Sequence, residues 1–417
     1  MAQTVTPPRG MRDFLPAEKA RRERALAVIR RSYAARGFDE IETPVVEDST
    51  RLHAGLGGDN EKLAFAVMRR ALTSDDLAAA AASGDALALA DLGLRFDLTV
   101  PLARFYATHR AALPPVFRSV QIAPVWRAER PQKGRYRQFV QCDIDIIGEA
   151  GPLAELELLE ATLATLADLG LTECVIRIND RRILSTLLAH WGVPEDARER
   201  ALITIDKLDK IGAQGVADEL AASGVTADGV AETLDAIANA GWELLEADAP
   251  TWLDEAAYAD LLALRAALPG AELVFDPTLV RGMGYYTGTI FEIAHPGFGY
   301  SLGGGGRYDN MIGRFLGQSV PACGFSIGFE RIVDLVSLDE DGAADSVVLV
   351  YDRDVALPAL LALKSELVAA GRRVRLEKRV KNQRALLERI AADGFDAYAF
   401  VSADTPDAAS LDFRPFA

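Results

Sequence analysis

Between Arg127 and Arg137, five basic residues (Arg127, Arg130, Lys133, Arg135 and Arg137) stand against one acid, Glu129, a local balance of +4 within eleven residues. On an extended chain Arg135 and Arg137 point to one face, and planar guanidinium forks suit a polyphosphate better than scattered carboxylates. Phe139 lies two residues past Arg137 on that face, where its ring could stack on a nucleobase while the arginines hold its phosphates. The same charges would also suit a solvated edge strand, and charge alone does not choose between the two.

Such an array needs a sheet to carry it. The segment 117–148 reads as two long strands joined by a basic, glycine-containing turn at Pro131 to Arg135. Upstream, apolar residues at i, i+3, i+4 spacing predict a helix from Pro16 to Ala35, ended by Gly37. Phe38 to Val46 reads as a strand that Pro44 confines to an edge or an interface. The alanine-rich residues 69 to 91 read as a helical excursion or loop, and L-R-F-D-L-T-V-P-L-A-R-F-Y from Leu94 has strand texture. Downstream come a helix over 152–169, a strand over 174–178 and an acidic helical region over 181–268. Strands are expected over 272–293 and 298–303; Gly303 to Gly306 then lead through Arg307 and Tyr308 into a further turn, a strand from Ala322 to Ile327 and a helix over 328–336. Hairpins outnumber helical crossovers, which predicts an antiparallel sheet in an α+β fold. Residues 338–346 are acidic and read as a linker. Beyond them, 347–417 alternates β, α, β, α, β as a small α/β domain.

Composition limits the partners. Sixty-one acids against 45 bases give a net charge of −16, so the molecule as a whole repels polyanions, and binding to nucleic acid requires locally concentrated base. Three cysteines, Cys142, Cys174 and Cys323, with no C-x-x-C pair, exclude a disulfide framework and a thiolate zinc site and fit a reducing compartment. The four scattered histidines form no H-E-x-x-H helix, and no Walker loop occurs. No metal-ligating side-chain cluster is expected. A start of M-A-Q-T-V-T-P-P-R-G lacks a secretory apolar stretch, and no window is apolar enough for a transmembrane helix. A cytoplasmic protein without membrane or DNA partners is expected.

The run W-R-A-E-R-P-Q-K-G-R-Y-R-Q-F-V-Q resembles motif 2 of class II aminoacyl-tRNA synthetases. L-V-R-G-M-G-Y-Y-T-G-T-I-F-E, from Leu279 to Glu292, looks like the histidine-binding signature of the histidyl-tRNA synthetase family. G-G-G-G-R-Y-D-N and G-F-S-I-G-F-E-R are similar to its motif 3 region, and Pro44 stands where motif 1 places an interface proline. The resemblance implies a homodimer that activates L-histidine with ATP and magnesium and charges histidine tRNA. It implies a catalytic core over 1–180 and 269–337, a helical insertion over 181–268 and an anticodon-binding-like domain over 347–417. By the family pattern Arg127 contacts the α-phosphate with Arg281 opposite, Glu129 the adenine and Arg135 the distal phosphates, while Phe139 and Arg331 stack around the base. Asp97, Thr99 and Gln141 would receive histidine's ammonium, and Asp145 and Tyr286, with Tyr285 beside them, its imidazole.

The chemistry agrees. Attack of a carboxylate on an already anionic nucleotide demands cations on both sides, which two arginines supply without proton transfer. Selecting an imidazole needs groups that bond both ring nitrogens, because size alone rejects an isostere by only ~1–3 kcal/mol. Two departures stand out: Gly284 replaces the signature's usual Asp, and the C-terminal domain is short for the family. The second keeps another reading open, a non-catalytic, synthetase-like regulatory subunit of ATP phosphoribosyltransferase; a third is an activating enzyme with another acceptor. The tail favours an RNA partner. From Lys364 to Arg389 nine bases face three acids, a local +6, with Arg372, Arg373, Lys378, Arg379 and Lys381 as the candidate contacts. Gly303 to Gly306 are expected to allow close backbone packing, Cys142 and Cys323 to be buried, and His295 to be structural.

Overall fold

A computed structural model describes residues 5–53, 63–132, 134–225, 229–238, 241–242, 250–281, 284–336 and 345–416. Lys133 of the basic turn, Gly282 and Met283 of the signature and residues 338–344 of the expected linker lie outside the described residues. The chain divides into two compact units, one of residues 1–13 and 25–337, the other of 14–24 and 338–417.

In the larger unit the short strands β1 (Asp39–Glu40), β2 (Val46–Asp48), β3 (Phe65–Met68) and β4 (Ala90–Leu94) precede the long hairpin of β5 (Phe117–Trp126) and β6 (Gln138–Ile147). Then follow β7 (Val175–Asp180), β8 (Leu273–Phe275), β9 (Thr289–His295), β10 (Phe298–Arg307) and β11 (Ala322–Gly328). Among the described residues these form an eight-stranded sheet in the order β1-β5-β6-β11-β10-β9-β7-β8, and a separate β2-β4-β3 sheet. The large sheet is antiparallel except at its two margins, where β1 runs parallel to β5 and β8 parallel to β7.

Alternation decides which face is covered. Cys142, Ile144 and Ile146 of β6 point to one side and are fully buried. The helix Leu153–Asp168 packs there against β6 and β11, burying Leu158, Leu159 and Leu166 at roughly 1.5–3 kcal/mol each. Ser32, on the helix Pro16–Ala35, donates to Asp168 Oδ2 at 2.7 Å. The opposite face carries Gln141, Asp143 and Asp145 and forms the floor of a cavity. Cα pairing aligns Gln121, Asp143, Ser326, Gly304, Glu292 and Arg177 in one row across six neighbouring strands.

Four expectations about elements change. The segment from Leu94 does not continue as strand: Thr99–His109 is a helix, with Pro101 in its first turn, where a missing N–H is harmless, and Asp97 Oδ1 accepting the Val100 N–H at 3.2 Å. Residues 38–46 form no single strand, because Pro44 separates β1 from β2, which belong to different sheets. The stretch 272–293 is broken between β8 and β9 by the loop that carries Arg281 and the two tyrosines. After Tyr308 comes a helix, Asp309–Leu316, ended by Gly317 at φ 69°, rather than a turn.

The smaller unit contains β12 (Ser346–Tyr351), β13 (Arg373–Lys378), β14 (Ala397–Val401) and β15 (Arg414–Pro415) in the order β13-β12-β14-β15. The first three are parallel, as expected of a βαβαβ run, and β15 adds an antiparallel edge. Period-two alternation gives β12 two cores. Val347 and Leu349 meet Leu360, Leu363 and Leu367 on one side, and Val348 and Val350 meet Leu386, Ile390 and Phe395 on the other.

Candidate active site

A cavity of about 1130 Å³ opens over the polar face of the large sheet. All twelve residues expected at the ATP and histidine sites line it: Asp97, Thr99, Arg127, Glu129, Arg135, Phe139, Gln141, Asp145, Arg281, Tyr285, Tyr286 and Arg331.

Three carboxylates lie close together in it. Asp145 Oδ1 accepts a hydrogen bond from Tyr308 Oη at 2.6 Å, and a Cβ on Gly324, its partner across the ladder, would stand 2.0 Å from that oxygen. The glycine is what lets the carboxylate lie over β11. Burial pushes Asp145 up to about 7, opposed by the Tyr308 hydrogen bond and aided by the charge of Asp97. Asp97 rises to about 6, again by burial, with the Val100 N–H and Arg127 pulling the other way. Asp143 rises well above the ordinary range, by burial and then by the neighbouring Asp145 charge. Gln141 Nε2 donates to Ser326 Oγ at 3.1 Å. Among the described residues Gln141 Oε1 and Asp97 Oδ2 are buried without a hydrogen-bond partner, although a buried polar atom ordinarily finds one. Acceptors left over in this way suit a cationic ligand. Tyr285 and Tyr286 are both buried, rings 4.8 Å apart, and Tyr285 meets the edge of Tyr308 at 5.9 Å.

Four arginines line the same cavity. Arg127 Nε donates to the Phe96 carbonyl at 3.0 Å, and its guanidinium lies 5.0 Å from the centre of the Phe139 ring. Arg135, half exposed, pairs with Glu129 at 3.5 Å. Arg331 donates to the Ser301 carbonyl, with Tyr300 as the ring beside it at 5.7 Å. Burial draws the Arg331 pKa down, and so do the charges of Arg135, Arg281 and Arg127. Arg331 thus stands within reach of three other guanidinium charges, a gathering that suits a polyanion. Arg281 donates from Nη1 to Glu292 Oε2 at 3.1 Å, while its buried Nε has no hydrogen-bond partner among the described residues. Burial opposes its charge, but Tyr286, Glu292 and Tyr285 outweigh that and raise its pKa.

Gly303 to Gly306 lie within β10, where a Cβ on Gly305 would stand 1.9 Å from the Gly324 carbonyl and one on Gly304 2.8 Å from the Arg281 guanidinium carbon. Close backbone packing explains the run. Cys142 and Cys323 are buried, and His295 Nδ1 accepts the Gly297 N–H at 3.0 Å, outside the cavity.

Sequence reasoning passed over Asp143, Tyr300, Tyr308, Ser326 and Glu292. The signal for Asp143 was present: Gln141, Asp143 and Asp145 alternate with apolar residues and must share a face. Tyr308 and Ser326 gave none, because only pairing across the sheet brings them to β6.

In the smaller unit the basic candidates are partly neutralised. Arg372 pairs with Asp345 at 2.9 Å and lies 4.6 Å from the Phe413 ring. Arg373 lies 4.4 Å from Phe395, and Arg379 pairs with Asp352 at 2.9 Å and stacks on Phe400. Lys378 and Lys381 are exposed. Among the described residues no cluster of three His, Cys, Asp or Glu could hold a metal ion, and no helix is long and apolar enough to cross a membrane.

Relatives with known names give this geometry a context. Residues 10–332 match the family described as histidyl-tRNA synthetase. The histidine–tRNA ligase of Leifsonia xyli subsp. xyli is 64% identical over 100% of this chain and 99% of its own. A probable histidine–tRNA ligase of Tropheryma whipplei is 42% identical over 96% of this chain and 97% of its own. A crystal structure of histidyl-tRNA synthetase from Nostoc sp. PCC 7120 covers 100% of this chain and 97% of that one, at 25% identity and a TM-score of 0.76. A Bacillus halodurans structure titled as an ATP phosphoribosyltransferase regulatory subunit/histidyl-tRNA synthetase has the same TM-score, 0.76, at 21% identity over 96% of this chain and 99% of its own, and so shares the fold. With a match over most of its length and a relative at 64% identity end to end, the chain belongs to the histidyl-tRNA synthetase family.

Proposed function

We propose that the cavity condenses ATP with L-histidine to histidyl-adenylate and passes the histidyl group to histidine tRNA. In the first step a histidine carboxylate oxygen attacks the α-phosphorus, the bond to the β-phosphate breaks and pyrophosphate leaves. In the second, a terminal ribose hydroxyl of the tRNA attacks the carbonyl carbon, and AMP leaves.

The observation that carries this reading is the gathering of Arg127, Arg135, Arg281 and Arg331 in one cavity with Asp97, Asp143 and Asp145. The arginines suit the triphosphate. Arg127 and Arg281 take the α-phosphate, where charge grows in the transition state, Arg135 takes the distal phosphates, and Glu129, Phe139 and Arg331 frame the adenine. Asp97 Oδ2 and Gln141 Oε1, the unpartnered acceptors, take the ammonium together with Thr99. Asp145, Tyr286 and Tyr285 face the imidazole. Magnesium would arrive on ATP, with phosphate oxygens and water as its main ligands. Bound there, the ion would neutralise charge on the β- and γ-phosphates.

We assign the catalytic core to residues 1–180 and 269–337, the insertion to 181–268, the linker to 338–346 and the tRNA-facing domain to 347–417. Arg372, Arg373, Lys378, Arg379 and Lys381 are its proposed RNA contacts, and exposed Lys378 and Lys381 are the readiest of them. A cytoplasmic homodimer fits this role. Exposed Val46, Met68 and Leu92 on the β2-β4-β3 sheet, whose first strand begins just after Pro44, support a protein partner there.

The reading as a regulatory subunit is not favoured, since the end-to-end match at 64% identity is to a histidine–tRNA ligase. Histidine-dependent exchange of pyrophosphate into ATP, together with charging of histidine tRNA, tests the proposal. A folded protein that does neither would refute it.

A further inference from the structure

The reading above gives Arg281 a reacting phosphate to face but leaves open what holds a loop arginine in register with it. Arg281 stands on the connection between β8 and β9. Its Nη1 donates to Glu292 Oε2 at 3.1 Å, and the other oxygen, Oε1, accepts from Arg177 Nη1 at 3.2 Å. Arg177 in turn donates from Nε to Asp276 Oδ2 at 2.7 Å. Asp276 Oδ1 accepts the Thr278 N–H at 2.9 Å and the Thr278 hydroxyl at 2.7 Å. Thr278 opens the same connection that carries Arg281 three residues later, so the chain of contacts closes into a circuit.

Cross-strand pairing makes the circuit rigid. Glu292 on β9 pairs with Arg177 on β7 at one side and with Gly304 on β10 at the other. At Gly304 a Cβ would approach the Arg281 guanidinium carbon to 2.8 Å. The guanidinium therefore lies against bare strand backbone on one side and is hydrogen-bonded to Glu292, and its buried Nε has no partner among the described residues. Two arginines and two carboxylates alternate, so removing Glu292 leaves two cations facing each other without the anion between them.

Resting on the proposed adenylation, we infer that Glu292 is a positioning residue for that step, aiming the guanidinium of Arg281 at the α-phosphate while Arg177 and Asp276 hold Glu292 in place. Glu292 touches no reacting atom in this scheme. Its effect passes through Arg281, and that distinguishes it from an ion pair that only steadies the sheet.

Pyrophosphate exchange by the wild-type chain, Glu292→Gln, Glu292→Ala, Arg281→Ala and the Glu292→Ala/Arg281→Ala double variant tests the inference. Glu292→Ala is expected to lower kcat on the order of 100-fold, the cost of a misplaced catalytic group, with KM for histidine close to wild type. Glu292→Gln, nearly isosteric, is expected to lose less, because one acceptor oxygen remains. The double variant should be no slower than Arg281→Ala alone, since a positioning residue has nothing left to position. Wild-type kcat in a folded Glu292→Gln protein overturns the inference. So does a double variant that falls below Arg281→Ala by the full factor Glu292→Ala costs alone. If Glu292→Ala does not fold, the same cycle with Glu292→Gln decides. Absence of exchange by the wild-type protein overturns the adenylation reading itself, and this inference with it.

Discussion

Tyr308 donates to Asp145 across 2.6 Å, joining a helix-capping residue to a β6 carboxylate 163 positions earlier in the chain. Burial alone would hold Asp145 protonated, whereas the phenol favours the ionised form that an imidazole N–H requires. Tyr308→Phe should therefore weaken histidine binding by about 10- to 100-fold, the worth of a hydrogen bond to a charged group at ~1.5–3 kcal/mol. KM for histidine in pyrophosphate exchange reads this, and an unchanged value would remove Tyr308 from the site.

Gly324 and Gly305 should respond differently to alanine. At Gly324 the new methyl meets the Asp145 carboxylate, the end of a side chain that can turn away, so the protein folds but KM for histidine rises. At Gly305 it meets the Gly324 carbonyl at 1.9 Å, and backbone cannot turn away. Gly305→Ala should cost several kcal/mol, on the order of a severe core defect, and show first as a lower Tm. Equal Tm values for the two variants would contradict the packing described.

Raised carboxylates make the ligand-free protein sensitive to alkali. Asp97 titrates at about 6 and Asp145 at about 7 in the folded chain, both moved up mainly by burial. Between the ordinary carboxylate range, near pH 4, and about pH 7 the native state therefore holds more protons than the unfolded chain, and stability falls as pH rises. Their stabilising contribution is complete below pH 4 and lost on passing 7. Asp145→Asn should flatten the fall in Tm between pH 5 and 7.5, and a slope identical to wild type would exclude Asp145 as its source. Histidine binding near pH 6.5 should release protons, measurable by calorimetry in buffers of different ionisation enthalpy.

In the smaller unit, Lys378→Glu with Lys381→Glu should lower the affinity for histidine tRNA and flatten its salt dependence by about one unit of log–log slope per lysine lost, while histidine-dependent exchange continues. Both side chains are exposed, so reversal should leave the Tm unchanged. Charging at the wild-type rate would place the RNA surface elsewhere.

The sequence was most legible where one strand carries several functional groups. Arg127 to Asp145 lie on or beside a single hairpin, and period-two alternation assigns their faces without knowledge of neighbours. It was least legible where pairing between distant strands decides. Ser326 reaches Gln141 only through the register of β11 on β6, and Glu292 meets Arg177 only because β9 lies beside β7. The segment from Leu94 misled for a local reason. Val, Phe, Tyr and Pro in an apolar run favour extended chain, yet a proline in the first helical turn and an acid cap two residues before the helix favour the helix that forms. Asp97 does both tasks, one oxygen capping that helix and the other facing the cavity.

Arg12 also reaches across the larger unit, donating to Glu330 Oε2 at 2.5 Å over 318 positions, while the Gly10 carbonyl accepts the Arg137 N–H at 2.8 Å. Glu330 Oε1 accepts the Val140 N–H at 3.3 Å, beside Phe139. On the ribosome, residues near the amino terminus emerge first and must wait for almost the whole unit before this bond can form. At roughly 5–20 residues per second that interval is on the order of tens of seconds. Until then the basic hairpin lacks its final brace, so the nascent chain should acquire its nucleotide site late, after most of its sheet has been synthesised.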